Sequence, residues 1–395
     1  MAISDRIKVK MAEGSWVRRM FEEGVALKKR YGAENVFDLS LGNPVLGPPP
    51  AFMRELKKLV AKPLPSMHAY MSNSGYPEAR AAVAAYLARE TGVKLTQEDV
   101  LMTCGSAGAL NVLLRTLLNP GEEVIVFVPY FLEFLNYIDH HGGTPKLLPT
   151  DENFQPRLEA LEAGIGPRTK AILLNSPNNP TGLVYSQELI HGMGEILDKK
   201  SAQYGHEIYL VSDEAYRKLI YDGLKYPSPL NHYTQSFVVA SHSKDLGLAG
   251  ERIGYIAMHP ECRPHDELID GIIYCQRTLG FVNAPALMQH LVRNLQDESV
   301  SIAEYQRKRD FLYGHLTEMG YRMLKPQGAF YLFPKTPIED DVAFVRELLE
   351  WKVLTSPGVG FGLPGYFRIC YSVDDRTLEG SLTGFRKAAE KYHLC

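Results

Sequence analysis

Cysteine is scarce in this chain of 395 residues, and its few cysteines form no recognisable pattern. They are Cys104, Cys262, Cys275, Cys370 and Cys395. An odd number, with no CxxC pair and no Cys/His ligand spacing, supports neither a disulfide framework nor a zinc site. The pattern predicts free thiols in a reducing compartment, and hence a cytoplasmic protein without a metal centre.

Long apolar runs and an excess of one charge are also missing. No apolar stretch reaches the length of a membrane span, and the opening MAISDRIKVK has no apolar core typical of a signal peptide. The formal net charge of -3 gives no reason to expect nucleic acid. Glu22 and Glu23 interrupt the basic stretch from Arg18 to Arg30, which favours an ordinary N-terminal helix over a transit peptide. We therefore expect no membrane and no nucleic-acid partner.

Short β-rich runs alternate with longer helical patterns through the middle of the chain. Several of these runs are apolar almost throughout, as strands buried on both faces must be. A helical stripe of five leucines lies between two of them, at positions 110, 113, 114, 117 and 118. Such alternation predicts an α/β fold, with helices on both sides of a mainly parallel, seven-stranded sheet. The candidate strands are residues 100–104, 124–127, 146–148, 171–175, 208–212, 237–240 and 254–258.

The length of the chain is too great for one ordinary core, which predicts two domains. The C-terminal part has a polar helix around 301–319, the run QGAFYLF, a helix near 341–351, FRICYS and a last helix. This pattern predicts a smaller α+β domain with the aromatic residues of AFYLF in its core. The Pro-rich stretch GNPVLGPPP is typical of a connection between domains. We predict a large domain at 46–290, and a small domain built from 1–45 and 291–395.

Chemistry is expected directly after the candidate strands, because ligands of an open parallel sheet bind at the carboxyl ends of its strands. The segments there are GSAG, PYF, SPNNPTG, DEAY and SHSK. The small residues of GSAG would let backbone N–H groups at a helix start approach a phosphate. Taken alone, Asp213 is more typical of a helix cap and Lys244 of a surface charge. Five such segments in order, however, are improbable as coincidence.

Together these segments resemble a pyridoxal-phosphate (PLP)-dependent class I/II aminotransferase of the aspartate-aminotransferase fold type, fold type I. The resemblance runs from SLGNP at 40–44 to Arg368, and its specific parts are NSPNNPTG at 175–182 and SHSKDLGLAGERIG at 241–254. It implies that Lys244 carries PLP as an internal aldimine and moves a proton between substrate and cofactor. Asp213 would keep the ring nitrogen protonated. Tyr216 and Asn179 would hydrogen-bond the ring's 3′-oxygen.

The resemblance also implies the other contacts to the cofactor. Four residues would hold the phosphate: Ser106, Ala107, Ser241 and Arg252. Arg252 would do so with two parallel hydrogen bonds. Phe131, in PYF, would stack on the ring.

The substrate and the partner subunit have their own implied contacts. Arg368 would bind the substrate α-carboxylate as a bidentate pair, assisted by Asn179 and the backbone near Gly42. Tyr70, in HAYMSNSG, would reach the phosphate of the neighbouring site. That contact implies a homodimer with shared active sites.

The amino donor stays open at this point. Bacterial-type aspartate aminotransferases of this family often place a lysine in the phosphate turn, where this chain has Ala107. Arg277 could bind a distal carboxylate, although a solvated arginine is the more ordinary interpretation. Phe330 and Tyr331 fall in a family signature near the substrate. Aromatic, alanine-type and broad-range donors remain possible, with 2-oxoglutarate or pyruvate as acceptor.

The predicted function is transfer of an amino group from an L-amino acid to a 2-oxo acid by ping-pong chemistry. The alternative is a PLP-dependent β-lyase of the cysteine-conjugate type, since lyases and cyclopropane-forming enzymes on this scaffold share most of these residues. A PLP-sensing regulator would need a DNA-binding helix-turn-helix, for which the residues before SLGNP leave no room. A nicotinamide dehydrogenase would need GxGxxG after an early strand, which is missing.

Overall fold

The computed structural model describes residues 3–13 and 16–394. Its helices are α1 (Asp5–Glu13), α2 (Trp16–Tyr31), α3 (Pro50–Ala61), α4 (Pro77–Thr91), α5 (Gly105–Leu117), α6 (Glu133–His140), α7 (Leu158–Gly164), α8 (Gln187–Tyr204), α9 (His242–Asp245), α10 (His265–Thr278), α11 (Ala286–Val292), α12 (Ile302–Glu318), α13 (Asp341–Glu350) and α14 (Asp375–Lys391). Its strands are β1 (Phe37–Asp38), β2 (Val100–Thr103), β3 (Glu123–Val128), β4 (Thr144–Pro149), β5 (Thr169–Asn175), β6 (Tyr209–Asp213), β7 (Ser236–Ser241), β8 (Gly254–Met258), β9 (Tyr331–Leu332), β10 (Val353–Leu354), β11 (Ser356–Pro357) and β12 (Phe367–Cys370).

One sheet contains seven strands in the order β2-β8-β7-β6-β5-β3-β4. All of them run in one direction except β8, which is antiparallel to both of its neighbours. These are the candidate strands of the sequence, and the bounds of each agree with the predicted ones to within about two residues. The predicted α/β fold with a mainly parallel, seven-stranded sheet is therefore confirmed.

The sheet is buried on both faces because its apolar strands alternate their side chains between two helical layers. On one face, Val239 of β7 belongs to a core cluster with Leu113 of α5. On the other face, its neighbour Val238 belongs to a cluster with Val83 of α4. Each of these side chains is fully buried, which stabilises the fold by about 1.5–3 kcal/mol per residue.

The N-terminal segment pairs with the C-terminal part of the chain. Phe37 and Asp38 of β1 lie parallel to Val353 and Leu354 of β10. A separate antiparallel sheet has the order β11-β12-β9, and α12, α13 and α14 contribute to the same core cluster. The predicted helices near 301–319 and 341–351 are α12 and α13, and the predicted N-terminal helix is α2. The domain boundaries at 45/46 and 290/291 stay predictions.

The reversed strand β8 brings its first residue to the edge where its neighbours end. Gly254 is paired with Ser241 of β7 and with Thr103 of β2. A Cβ on Gly254 would overlap the carbonyl oxygen of Ala240 and would lie 2.9 Å from the Cα of Gly105. Glycine at this position therefore lets the start of α5 pack directly against the sheet edge.

In the part of the chain that the structure describes, every helix is too short or too polar to cross a membrane.

Candidate active site

A cavity of about 280 Å³ lies at this carboxyl edge of the sheet. Among the residues to which the resemblance gives a contact with cofactor or substrate, Tyr70 lies outside it and is 89% exposed. The roles of these residues remain predictions, but the cavity does bring the others together: Gly42, Ser106, Ala107, Phe131, Asn179, Asp213, Tyr216, Ser241, Lys244, Arg252 and Arg368.

One end of the cavity is built to receive an anion. Helix α5 starts there at Gly105, whose φ of 74° is left-handed, and its first-turn N–H groups have no partner within the helix. A Cβ on Gly105 would lie 2.9 Å from Nη2 of Arg252, so glycine leaves this guanidinium its place. Arg252 donates from Nη1 to the carbonyl of Ala249 at 3.0 Å. The hydroxyl-bearing Ser106 and Ser241 line the same cavity, and all these donors favour a phosphate or carboxylate.

Asp213 is the last residue of β6, and its side chain is buried. Burial raises the pKa of this carboxyl to about 7, and neighbouring Glu214 adds to the rise, while a hydrogen bond from the N–H of Ala215 opposes it. That N–H lies 3.3 Å from Oδ1 of Asp213. A buried carboxylate of this kind is stabilised by a cationic partner, so Asp213 is suited to hold a positive charge in the cavity.

Lys244 extends its amine into the cavity from the short helix α9. Nζ donates to the carbonyl oxygen of Gly42 at 2.7 Å and lies 5.3 Å from the ring centroid of Phe330. Burial lowers the pKa of Lys244 to about 8, and the positive charges of Arg368 and Arg252 act in the same direction. Roughly a tenth of the amine is then neutral at pH 7, far more than for an ordinary lysine. A neutral amine is a nucleophile toward carbonyl groups.

Arg368 of β12 lines the same cavity, with only 3% of its surface exposed. Nη1 donates to Oδ1 of Asn179 at 2.9 Å, and Nη2 donates to the carbonyl of Ser40 at 2.7 Å. The guanidinium carbon lies 4.6 Å from the ring centroid of Tyr331 and 4.7 Å from that of Phe361. Its Nε is buried without a hydrogen-bond partner. Such a desolvated, oriented guanidinium matches the geometry of a carboxylate.

Tyr216 lines the same cavity, and its hydroxyl is 2.8 Å from that of Tyr331. Burial raises the pKa of Tyr216 well above its ordinary value, so the hydroxyl keeps its proton. The AFYLF run predicts Tyr331 in the small-domain core, and the resemblance puts it in a signature near the substrate. In the structure Tyr331 belongs to that core cluster and also lines the cavity.

Several cavity-lining residues were not predicted. Asn175 ends β5, and its amide donates to the backbone carbonyl of Asp213 at 3.1 Å; the strand-end argument could have found it. Tyr137 lies inside α6, where no motif marks it, and burial raises its pKa to about 12. The other unpredicted residues are Leu110, Leu132, Ala215, Ser243 and Ala249.

Arg277 is exposed near the end of α10 and does not line this cavity. Its guanidinium lies 5.7 Å from the ring centroid of Tyr274. A role for Arg277 at a distal carboxylate therefore stays a prediction.

Comparison with known proteins gives consistent matches over nearly the whole chain. The family model described as "Aminotransferase class I and II" matches residues 34–383. The aspartate/prephenate aminotransferase of Thermus thermophilus is 32% identical over 375 residues, which cover 92% of this chain and 93% of the relative. The probable aspartate aminotransferase of Methanocaldococcus jannaschii is 32% identical over 323 residues, with 79% and 83% covered.

Solved structures agree with these matches. The crystal structure of an amino transferase from Eubacterium rectale has a TM-score of 0.95 and 37% identity, and 99% of each chain is covered. The Thermus thermophilus aspartate aminotransferase with maleate has a TM-score of 0.85 and 28% identity, over 98% of this chain and 100% of the other.

Proposed function

Since the chain belongs to the class I and II aminotransferase family, we propose that it is a PLP-dependent enzyme that transfers the amino group of an L-amino acid to a 2-oxo acid. The observation that carries the proposal is the position of the Lys244 amine. Its pKa is lowered to about 8, and it shares one cavity with a buried carboxylate, Asp213, and a rigid guanidinium, Arg368. Enzymes of this family generally depend on PLP.

The residues of the cavity fit PLP by their chemistry. The phosphate needs a cation and N–H donors, which Arg252 and the start of α5 supply side by side, since Gly105 lets the guanidinium lie against the first turn of the helix. The ring nitrogen, when protonated, needs an anion, which the buried carboxyl of Asp213 can supply. The aldehyde needs an amine, which Lys244 supplies. Phe131 and Ala215 on the same cavity are suited to pack against the faces of the ring.

Bound PLP would supply an electron sink for the charge left on the substrate's Cα when its proton is removed. Residues of the chain bind the substrate and move the proton. Arg368 binds the α-carboxylate and so fixes the orientation of the Cα–H bond. The neutral amine of Lys244 takes the Cα proton of the substrate at Nζ, from which it would be passed to a carbon of the cofactor. Asp213 would keep a proton on the ring nitrogen of the bound cofactor, which would strengthen the electron sink.

The carbonyl of Gly42 gives Lys244 a defined resting position, because it accepts a hydrogen bond from Nζ at 2.7 Å. The same backbone lies beside Ser40, whose carbonyl accepts from Arg368. One short segment therefore orients both the proton-transferring amine and the carboxylate-binding guanidinium. This arrangement favours a fixed distance between the two groups, as proton transfer requires.

The proposal includes a cytoplasmic homodimer in which Tyr70 of each subunit reaches the site of the other. Two observations support this part. Tyr70 is 89% exposed and lies outside the cavity of its own chain. The four described cysteines are free thiols, which is typical of a reducing compartment.

The test is an absorbance titration of the purified protein with single L-amino acids and no 2-oxo acid. We expect a yellow cofactor band to give way to a stable near-ultraviolet band, with stoichiometric release of the matching 2-oxo acid. Return of the yellow band while pyruvate and ammonia accumulate would show a β-lyase instead. No yellow form after addition of PLP would overturn the proposal.

A further inference from the structure

Two tyrosines from different parts of the chain meet at the wall of the cavity. Tyr216 follows β6, and Tyr331 begins β9, yet their hydroxyl oxygens are 2.8 Å apart. Both side chains are buried, and both line the cavity. This distance is that of a hydrogen bond between hydroxyl groups.

A tyrosine hydroxyl has one proton to donate, so the order of donation in this pair is constrained. If Tyr216 donates its proton to a cofactor oxygen in the cavity, it can only accept from Tyr331. We propose that Tyr331 is a positioning residue, whose hydroxyl donates to Tyr216 and whose ring holds the guanidinium of Arg368. The inference rests on the proposed function, because it concerns the same cavity.

The hydroxyl of Tyr331 affects Tyr216 because hydrogen bonds in a chain strengthen one another. A hydroxyl that accepts a hydrogen bond becomes a better donor, so the bond from Tyr331 strengthens the one that Tyr216 gives. The hydroxyl of Tyr331 lies close to the backbone of Gly42: a Cβ on Gly42 would overlap it, so that glycine leaves it room. Tyr331 therefore acts on the cofactor through Tyr216.

The ring of Tyr331 has a separate role, because it lies beside the guanidinium of Arg368. The guanidinium carbon lies 4.6 Å from the ring centroid of Tyr331 and 4.7 Å from that of Phe361. A cation over an aromatic face is attracted to it, most strongly where water is excluded. Removing only the hydroxyl keeps this contact, whereas removing the ring abolishes it, so the two roles can be separated.

Other titratable groups surround the pair and bear on any pH titration. Tyr331, Arg368 and Asp213 influence Tyr216. Around Tyr331, the groups are Arg368, Cys370, Tyr216 and Tyr305. Burial raises the pKa of both tyrosines above their ordinary value, so both hydroxyls stay protonated at neutral pH.

The chain offers a matched control in a second buried pair of tyrosines. Tyr371 donates to the hydroxyl of Tyr221 at 3.3 Å, and both side chains are buried in the same core cluster as Tyr331. Neither of them lines the cavity. Tyr371→Phe thus removes a comparable hydroxyl without touching the site.

The experiment is a spectrophotometric pH titration of the PLP-loaded protein, together with dissociation constants for an amino acid. Tyr331→Phe should move the pH midpoint of the cofactor's visible band upward by about 0.3 unit or more, through the weakened bond from Tyr216. Tyr216→Phe should move it further in the same direction. Tyr371→Phe should leave it where the wild type has it.

The affinity for an amino acid distinguishes the role of the Tyr331 ring from the role of its hydroxyl. Tyr331→Phe should change the dissociation constant by less than about twofold, whereas Tyr331→Leu should raise it about threefold or more. Circular dichroism melting of each variant checks that it is folded.

Three outcomes would overturn the inference. They are an unmoved or lowered midpoint in Tyr331→Phe, an equal shift in Tyr371→Phe, and equal affinities of the Phe and Leu variants for the amino acid. A wild-type protein that shows no cofactor band would instead overturn the proposed function, and the inference with it.

Discussion

The guanidinium of Arg368 donates to the side-chain carbonyl of Asn179 across 2.9 Å, which ties strand β12 to the loop that follows β5. Asn179 is held in turn, since its backbone N–H donates to Oδ1 of Asn175 at 2.7 Å. Two short bonds thus connect the substrate-facing arginine to the end of a central strand. The arginine is therefore fixed relative to the same sheet edge that carries Asp213.

Replacing Arg368 by lysine should weaken amino-acid binding. Lysine keeps the charge but cannot form two parallel hydrogen bonds with a carboxylate. We expect the KM for amino acids to rise roughly 10- to 100-fold, the effect of one lost charge-assisted bond. Arg376→Lys, at an exposed position on α14, is the control. An unchanged KM in Arg368→Lys would show that another group binds the α-carboxylate.

Asp213→Asn should stabilise the cofactor-free protein at alkaline pH while weakening PLP binding. The pKa of Asp213 is raised from 3.8 to about 7, chiefly by burial. Between about pH 4 and 7 the folded protein thus keeps a proton that the unfolded chain has released, and the stability due to this group falls as pH rises. Asparagine does not titrate, so the stability that Asp213→Asn gains over the wild type should be larger at about pH 8 than at about pH 5.

Melting temperatures of the cofactor-free proteins at the two pH values measure this difference. Asp270→Asn, at an exposed position on α10, is the control. A variant less stable than the wild type at alkaline pH would contradict the assigned burial of Asp213.

Cofactor loading should follow the titration of Lys244. Only the neutral amine attacks a carbonyl, and the pKa of Lys244 is lowered to about 8 by burial and by neighbouring arginines. The loading rate of the cofactor-free protein should therefore rise about tenfold per pH unit below that value and level off above it. Stopped-flow absorbance measures the rate. A plateau reached only near the ordinary pKa of lysine would contradict the electrostatic account of the site.

Tyr70 provides a test of the shared active site. If it reaches the phosphate of the neighbouring subunit, activity should fall on dilution together with the dimer, as measured by sedimentation. Tyr70→Phe should also bind PLP about threefold or more weakly, since one hydrogen bond to a charged group is lost. Tyr31→Phe, on α2, is the control. A monomer with full activity at high dilution would remove Tyr70 from the neighbouring site.

The sequence predicted most of the fold because the buried strands are nearly continuous apolar runs. The polar residues at the ends of those strands, such as Asp213 and Ser241, are conspicuous for the same reason. Their convergence on one cavity needed only the rule that parallel strands end at one edge. Lys244 and Arg252 came from a motif whose spacing spans the turn into the reversed strand β8.

The hydrogen bond of the Tyr331 hydroxyl and the position of Tyr137 at the cavity could not be predicted in this way. Tyr331 falls in an apolar run, and Tyr137 lies inside a helix that no motif marks, so each tyrosine is expected to contribute its ring to the core. Whether its hydroxyl then reaches a cavity depends on how distant segments pack, as with Tyr216 and Tyr331, which are 115 positions apart. The hydrogen bond from Lys244 to Gly42 likewise joins segments 202 positions apart. No local pattern in the sequence encodes such contacts.

The central claim is that Lys244 binds the cofactor and that the cavity is built around its amine. Borohydride reduction of the PLP-loaded protein, followed by proteolysis and mass spectrometry, tests it directly. We predict that the cofactor's mass is found on the peptide that contains Lys244, and that Lys244→Ala yields no labelled peptide. A label on a different lysine, or one that persists in Lys244→Ala, would contradict the claim.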